Sequence, residues 1–194
     1  MANTCRTKIT IQASREAIQD FVDRLEKCVD GSYPNSENDK PHIIDEFGAK
    51  AELLIDRIGS KWVQMYDGYD SGISEHDDTE GSSEVVFELE SAWYPPSDMI
   101  LEMYRQVVES NEEADEEVRV FGSYWDEGYQ PIGVFEVYYG QIIEEQDHDL
   151  DESEWDDEIE AEGEQEYDRN FWEEVVDPAF TVLQERLDKV MKEI

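Results

Sequence analysis

Carboxylates are the side chains whose number and spacing could do chemistry in this chain, and they are densest in one run. Residues 144–168 hold 15 Asp and Glu side chains and no Lys or Arg. Within this acidic run, Asp147, Asp149 and Asp151 occupy every second position. In an extended backbone such side chains lie about 6.6–6.8 Å apart on one face, comparable to successive phosphates along a nucleic-acid strand. The spacing therefore predicts a surface that imitates nucleic acid and occupies a basic site on another protein.

The acidic run also has a plainer interpretation, because most charge runs are solvated or disordered loops. Trp155, Ile159 and Tyr167 interrupt the acids and favour anchoring to the fold or to a partner, since aromatic residues often carry binding energy at interfaces. A second acidic patch at 109–117 is typical of an exposed turn, and it gains a role only beside the first. The residues predicted to bind a partner are Asp147, Asp149, Asp151, Glu152, Glu154, Trp155, Asp156, Asp157, Glu158, Glu160, Glu112 and Glu113.

Calcium binding is a further use that the same carboxylates could serve. Asp147, Asp149, Asp151 and Glu158 match the first, third, fifth and twelfth positions of an EF-hand loop. The sixth position of that loop needs Gly for its sharp turn, and here it is Glu152. Dense acids produce such matches by chance, so we expect no metal site.

Catalytic patterns are weak in this sequence. His42, His76 and His148 lie in polar sequence without a recognisable nucleophile arrangement, and no phosphate-cradling glycine motif is present. We therefore expect a protein that is not an enzyme and that uses no cofactor. The aromatic pairs 93–94 and 138–139, with Trp125, are interpreted as sheet core and not as a base-stacking platform.

The charge balance narrows the class of partner. The chain has 52 acidic and 15 basic side chains and a net charge of −37, whereas a magnitude of about 2–8 suffices to keep a small domain in solution. Nucleic acid and anionic membranes would meet a field of like sign, so direct binding of either is disfavoured. A host protein with a basic or DNA-binding surface is favoured. With 39% apolar and 11% aromatic residues, the chain can still build a core.

Cysteine content and hydropathy indicate the compartment. The two cysteines, Cys5 and Cys28, have no second pair or histidine cluster to complete a zinc site. Neither a signal peptide nor an apolar stretch of about 18 residues is evident. We expect a cytoplasmic protein with two free thiols, in the host cell cytoplasm if the chain is phage-encoded.

The order of predicted elements indicates an α+β fold. Alternating apolar residues predict strands at 6–12, 84–92, 118–125 and 132–143, and a hairpin over 52–58 and 61–66. Helical spacing predicts helices capped by Ser14 and Ser97 and a terminal helix over 171–194, kinked or split at Pro178. Gly, Pro and Asn predict loops at 31–46 and 67–83.

This order repeats a β-α-β-β unit, which predicts a ferredoxin-like antiparallel sheet with helices on one face. The predicted organisation is a ferredoxin-like domain at 1–143, an acidic segment at 144–168 and a C-terminal helix at 169–194.

Several short strings resemble the YubB-type ferredoxin-like family of phage and plasmid proteins. The strings are Ala2-Asn3-Thr4-Cys5, Gly59-Ser60-Lys61-Trp62, Trp93-Tyr94-Pro95-Pro96 and the hairpin from Trp125 to Gly133. Members of the family usually carry an aromatic residue where Thr4 stands. The resemblance covers roughly residues 1–143. It implies an origin in a mobile element, with no catalytic residues to carry over.

Two functions remain open at this point. The first is a phage or mobile-element protein that binds and inhibits a host DNA-handling or defence complex, of the restriction, BREX-type or CRISPR kind, by DNA mimicry. The alternative is an acidic adaptor or accessory protein that binds its partner through the C-terminal helix. The apolar side of that helix also predicts a possible homodimer. The residues predicted to form the dimer are Phe171, Val175, Leu183 and Leu187.

Overall fold

An antiparallel sheet with helices forms the described part of the chain and confirms the predicted α+β class. A computed structural model describes residues 4–28, 43–47, 63–65, 74–77, 82–111, 117–126, 131–147 and 171–194. Their strands are β1 Thr4–Ser14, β2 Val63–Met65, β3 Ser74–Asp77, β4 Ser82–Ala92, β5 Arg119–Asp126, β6 Ile132–Tyr138 and β7 Gln141–Asp147. Their helices are α1 Arg15–Cys28, α2 Ile43–Phe47, α3 Ser97–Ser110 and α4 Asp177–Glu193, which a π-helical turn, Trp172–Val176, precedes.

The strands run in the order β2-β4-β1-β5-β6-β7, and β3 pairs with β4 beside β2. All of these pairings are antiparallel. The two long central strands, β1 and β4, stay in register from Thr4 opposite Ala92 to Ser14 opposite Ser82. The shorter strands β2 and β3 pair with β4, and β5 pairs with β1.

One face of the sheet, called the helix face below, carries the main core. In β1 the side chains of Ile9 and Ile11 are buried on this face, while Arg6 and Lys8 alternate to the other face. α1 begins after Ser14, whose Oγ accepts a hydrogen bond from the N–H of Ala17 at 3.4 Å, as an N-cap does. α1 and α3 pack their apolar sides into this core.

The terminal helix lies on the opposite face of the sheet. In β6, Phe135 belongs to the main core, whereas Ile132 and Val134 form a second buried cluster with Leu183 and Leu187 of α4. Neighbouring residues of a strand point to opposite faces, so α4 and the helix face lie on opposite sides of β6. The predicted placement of helices on one face therefore holds for α1 and α3, and α4 covers the other side.

The predicted long strand at 132–143 is wrong, because the chain folds there into the β6–β7 hairpin. Its turn consists of Tyr139 and Gly140, which have φ angles of 48° and 74°. Two-residue hairpin turns with positive φ at both positions match the twist of the flanking strands. The apolar run continues across this turn, so hydrophobic pattern alone did not reveal it.

Other predicted boundaries also change. Residues 43–47 of the predicted loop form α2, and residues 74–77 and 82–83 of the second loop belong to β3 and β4. Ser97 is the first residue of α3 and not its cap, because Pro96 occupies the capping position. Of the predicted hairpin only β2 is described, and it pairs with β4; residues 52–58 lie outside the described part.

The terminal helical region changes from π-helical to α-helical winding just before Pro178 and stays continuous there. The predicted kink or split at Pro178 stays a prediction. The backbone N–H of Asp177 donates to the carbonyl of Trp172, five residues earlier. Pro178 lies in the first turn of α4, directly after the π-helical turn.

Candidate protein-binding surface

The acidic run begins within the sheet. Glu144, Glu145 and Asp147 belong to β7, which is the last strand in the sheet order, so the sheet continues past the boundary predicted at residue 143. Glu145 and Asp147 alternate along one face of the strand, and their side chains are therefore about 6.6–6.8 Å apart along it. Of the predicted row of Asp147, Asp149 and Asp151, the last two residues lie outside the described ranges, so the row stays a prediction.

The residues that flank 148–170 lie at one end of the sheet, below called the run end. Asp147 pairs with Ile132, and Ile132 pairs with Trp125 of β5. The ring of Trp125 packs on Trp172, at the start of the terminal helix, with 5.2 Å between centroids. Residues 148–170 are thus joined at both ends to the same part of a packed core.

An aromatic cluster fixes this end of the terminal helix. Phe180 of α4 lies 6.3 Å from the ring of Trp125 and 6.4 Å from that of Trp172. Aromatic pairs at such distances contribute about 0.5–1.5 kcal/mol each beyond their burial. Phe171 beside them is buried. The start of the helix is therefore held against β5.

The second acidic patch is attached at the other end of the sheet. Asn111, at the end of α3, accepts a hydrogen bond from the N–H of Ser14 through its Oδ1 at 3.0 Å. Arg119, at the start of β5, pairs with Gln12. Cys5 marks the run end of β1, and its nine-residue separation from Ser14 corresponds to about 30 Å of strand. The flanks of the two acidic segments are therefore far apart.

Most residues predicted to bind a partner lie outside the described ranges. Asp147 lies at the end of β7, half-buried, and Asp147 is the candidate calcium ligand that falls in the described part. The predicted residues that lie outside the described ranges are Asp149, Asp151, Glu152, Glu154, Trp155, Asp156, Asp157, Glu158, Glu160, Glu112 and Glu113. Within the described ranges, no three His, Cys, Asp or Glu side chains are grouped to hold a metal ion.

Two exposed aromatic residues at the run end were missed by the sequence interpretation, which placed them in the core. β4 ends at Ala92, and the next residues, Trp93 and Tyr94, are 46% and 53% exposed. The positive-φ turn at Trp93 interrupts the alternation that buries every second residue, and the dipeptide Pro95-Pro96 directly after it is typical of a turn or loop. This sequence signal could have indicated their exposure.

Trp93 occupies a strained turn. Its φ angle is 69°, and the N–H of Tyr94 donates to the carbonyl of Ala92 at 2.9 Å. This is a γ-turn with positive φ at its centre, a rare and strained arrangement for a residue with a side chain. The hydroxyl of Ser91 donates to the carbonyl of Tyr94 at 2.7 Å and holds the turn in place.

The hydroxyl of Tyr124 connects β5 to β7. Tyr124 lies opposite Gly133, and its hydroxyl reaches across that glycine to donate to Gln146 Oε1 at 3.2 Å. A Cβ atom on Gly133 would lie 2.3 Å from the Tyr124 ring, so only glycine permits this crossing. Burial is the main reason that the pKa of Tyr124 is raised, followed by the charge of Glu144, and Tyr94 adds a smaller effect.

The residues predicted to form a dimer are covered within the chain. Phe171, Leu183 and Leu187 are each at most 2% exposed, and Val175 packs against the second cluster. The apolar surplus that suggested a homodimer is therefore buried against the chain's own sheet. The homodimer stays a prediction, but the apolar side of the terminal helix no longer supports it.

Cys5 and Cys28 do not form a disulfide, as predicted, and both are buried. Burial is the main cause that raises the pKa of Cys5 to about 12, and the charge of Asp126 also raises it. A thiol is nucleophilic as the thiolate, so Cys5 is unreactive at neutral pH. His42 and His148 lie outside the described residues.

Comparisons with protein-family models, curated proteins and solved structures found no match to this chain. In the part of the chain that the structure describes, no helix has the length and apolarity needed to cross a bilayer.

Proposed function

We propose that this chain is an acidic phage or mobile-element protein that binds and inhibits a host DNA-handling or defence complex by DNA mimicry. It acts in the host cytoplasm as a binding protein and not as an enzyme. A net charge of −37 steers association with a basic surface and disfavours other acidic proteins.

The observation that carries the proposal is the attachment of the acidic run. Its first carboxylates are part of β7, and the residues on both sides of 148–170 belong to the run end of the sheet. A tail fixed at one end loses much conformational entropy when it binds, whereas a segment fixed at both ends loses less. The attachment therefore favours a role in binding over a role in keeping the protein in solution.

We also infer that the first part of the fold is ferredoxin-like. β1 and β2 lie on either side of β4, with α1 after β1, which is the split β-α-β arrangement of that fold. α3 then connects β4 to β5 on the other side of β1. This order supports the resemblance to the YubB-type family and the mobile-element origin that the family implies.

Salt and DNA competition test the function. The immobilised chain is exposed to a bacterial lysate at about 0.1 M NaCl, and bound proteins are eluted with salt or with duplex DNA and identified by mass spectrometry. We expect DNA-handling proteins that duplex DNA displaces. Replacing Asp147, Asp149, Asp151, Glu154, Asp156 and Asp157 by Asn or Gln should abolish their retention. The matched control removes the same number of charges elsewhere, by Gln or Asn at Glu16, Glu26, Glu117, Glu185, Asp188 and Glu193.

The adaptor alternative makes the opposite prediction. Binding through α4 would persist at high salt, ignore DNA and survive neutralisation of the acidic run. The apolar side of α4 is covered by the sheet, so an adaptor partner would have to contact its outer side, where Val182 is 47% exposed. Loss of a DNA-insensitive partner in Val182→Asp would therefore reject mimicry and favour the adaptor.

A further inference from the structure

β7 is an edge strand in the part of the chain that the structure describes. It pairs with β6 over all seven of its residues and is last in the strand order. α3 and α4 contact it from the two faces of the sheet. Within the described ranges, no strand pairs with the side of β7 that points away from β6. Glu144 and Gln146 on this strand are exposed.

The hydrogen-bond pattern of the sheet determines which backbone groups of β7 point outward. The N–H of Asp126 donates to the carbonyl of Pro131 at 3.3 Å, so residue 131 and every second residue after it bond to β5. The alternate residues of β6, from Ile132 onward, therefore bond to β7, and their partners there are the odd-numbered residues. The N–H and C=O groups that point away from β6 are those of Ile142, Glu144 and Gln146.

This edge lacks most of the features that keep a further strand from pairing. Edge strands are commonly protected by proline, lysine, a β-bulge or short length. β7 contains neither Pro nor Lys, and its register with β6 is uninterrupted. Its charged side chains are all acidic, with Glu144 on the helix face and Glu145 and Asp147 on the other face. The acids therefore determine which strand can be added.

Charge complementarity selects the occupant of the edge. Side chains directly opposite each other in neighbouring strands have Cβ atoms about 4.5–5.5 Å apart, and like charges in such pairs are destabilising. A second copy of β7 would bring acids together in a chain of charge −37. An extended segment with Lys or Arg at alternate positions would instead place cations opposite Glu144, or opposite Glu145 and Asp147.

We propose that the outer edge of β7 binds an extended basic segment of the partner protein as an additional strand of the sheet. The backbone of Ile142, Glu144 and Gln146 supplies the hydrogen bonds, and the acidic side chains select basic residues. The inference rests on the proposed function for its basic partner, and it specifies how that partner is held. Backbone pairing also fixes the position of the partner, which long-range attraction does not.

Two labelled peptides of equal charge test the edge. Both alternate lysine and threonine, and one carries N-methyl groups on two neighbouring central residues, which removes a hydrogen-bond donor from each of its edges. Fluorescence anisotropy at about 0.15 M NaCl should show the unmethylated peptide binding about fivefold tighter or more, the effect of roughly one net backbone hydrogen bond. Attraction by charge alone would retain both peptides equally, and equal affinity would overturn the proposal.

Glu144→Pro and Glu144→Gln separate the backbone from the charge. Both remove the carboxylate, but only proline removes the outward N–H, and edge strands tolerate proline where that group faces solvent. Glu144→Pro should lose most of the preference for the unmethylated peptide, whereas Glu144→Gln should keep it. An equal preference in the two variants would contradict strand addition.

Amide hydrogen exchange of the unaltered chain gives a measurement that needs no substitution. The unmethylated peptide should slow exchange at Ile142, Glu144 and Gln146 by about tenfold or more, and leave Gly140 in the β6–β7 turn unchanged. Unchanged exchange in β7 would overturn the proposal. A protected edge in a chain whose captured proteins ignore DNA would keep strand addition and reject mimicry. Captured proteins that DNA displaces, with an unprotected edge, would do the reverse.

Discussion

Trp93 shows how a single residue can be placed against its own conformational preference. A left-handed backbone costs a bulky residue about 1–2 kcal/mol, whereas glycine adopts it freely. The hydrogen bonds of Ser91 and Tyr94 around this turn and the buried Pro95-Pro96 after it impose the conformation. Strain of this kind persists where the surroundings determine it, often at binding sites.

Substitution of Trp93 separates strain from side-chain contact. Both Trp93→Ala and Trp93→Gly lose the half-buried indole, but only alanine keeps the cost of positive φ. Trp93→Gly should therefore be more stable than Trp93→Ala by about 1 kcal/mol. Urea denaturation of the two variants measures the difference. An alanine variant as stable as the glycine variant would contradict the assignment of strain.

Glu88 is a second residue whose environment opposes its charge. It lies opposite Lys8 on the sheet face away from α1 and α3. Burial raises its pKa from the usual 4.5, although the charges of Lys8 and Arg6 act in the other direction. Its folded state favours the protonated form, so its contribution to stability is full below the unfolded pKa and is lost as pH rises through the folded pKa.

Glu88→Gln should therefore raise the free energy of unfolding at neutral pH. Its advantage over wild type should shrink as the pH falls and disappear below the unfolded pKa of about 4.5. Lys8 is exposed, so its lost partner costs little. Denaturation curves at several pH values check this, with Glu117→Gln as an exposed control. An advantage that does not change with pH would count against desolvation as the cause.

At the scale of elements, α4 differs from α1 and α3 because it packs on β6 and β7 from the opposite face of the sheet. Leu183 and Leu187 pack against the side chains of Ile132 and Val134. Burial of a Leu side chain contributes about 1.5–3 kcal/mol. The terminal helix is therefore part of the cooperative fold and not an appended arm.

Leu187→Ala should lower the free energy of unfolding by about 2–5 kcal/mol, the range for buried Leu truncations. Val182→Ala, on the outer side of the same helix, should change it by about 0.5 kcal/mol or less. The Leu187 effect should not depend on protein concentration, since the contact lies within one chain. A concentration-dependent loss in urea denaturation would instead indicate a dimer interface.

At the scale of the whole molecule, core formation and charge repulsion oppose each other. Two apolar clusters, one on each face of the sheet, hold the fold together. The net charge of −37 favours expansion, because like charges repel and unfolding separates them. The free energy of unfolding is therefore sensitive to ionic strength.

Raising NaCl from about 0.02 to 0.3 M shortens the Debye length from roughly 20 to 6 Å and should raise the melting temperature by several degrees. Replacing six exposed acids with Gln or Asn, at Glu16, Glu26, Glu117, Glu185, Asp188 and Glu193, should reduce that rise. Thermal denaturation followed by circular dichroism provides the measurement. A melting temperature that stays constant or falls over this range would show that repulsion does not limit stability.

The sequence by itself determined the elements whose burial pattern is local. Alternation in β1 and β4, and helical spacing in α1 and α3, predicted these elements to within a few residues. The reason is that each has one face buried along its whole length, so the pattern of apolar residues within the element carries the information. The terminal helix was predicted on the same basis.

Tertiary structure decided the features that depend on a distant neighbour. α2 is five residues long and is supported by Phe47 against Phe21, whose ring centroids are 4.9 Å apart. β3 is a strand through its pairing with the edge of β4. Such short elements gain little from local propensity.

The arrangement of the candidate surface also depends on residues that are distant in the sequence. The sequence identified the acidic run, but it did not indicate that Tyr124 reaches across Gly133 to Gln146 of β7, or that α4 packs on the opposite face of β6 and β7. Hydrophobic pattern determines which side of an element is buried. It does not determine which other element covers that side, and this choice brings separate parts of the chain together.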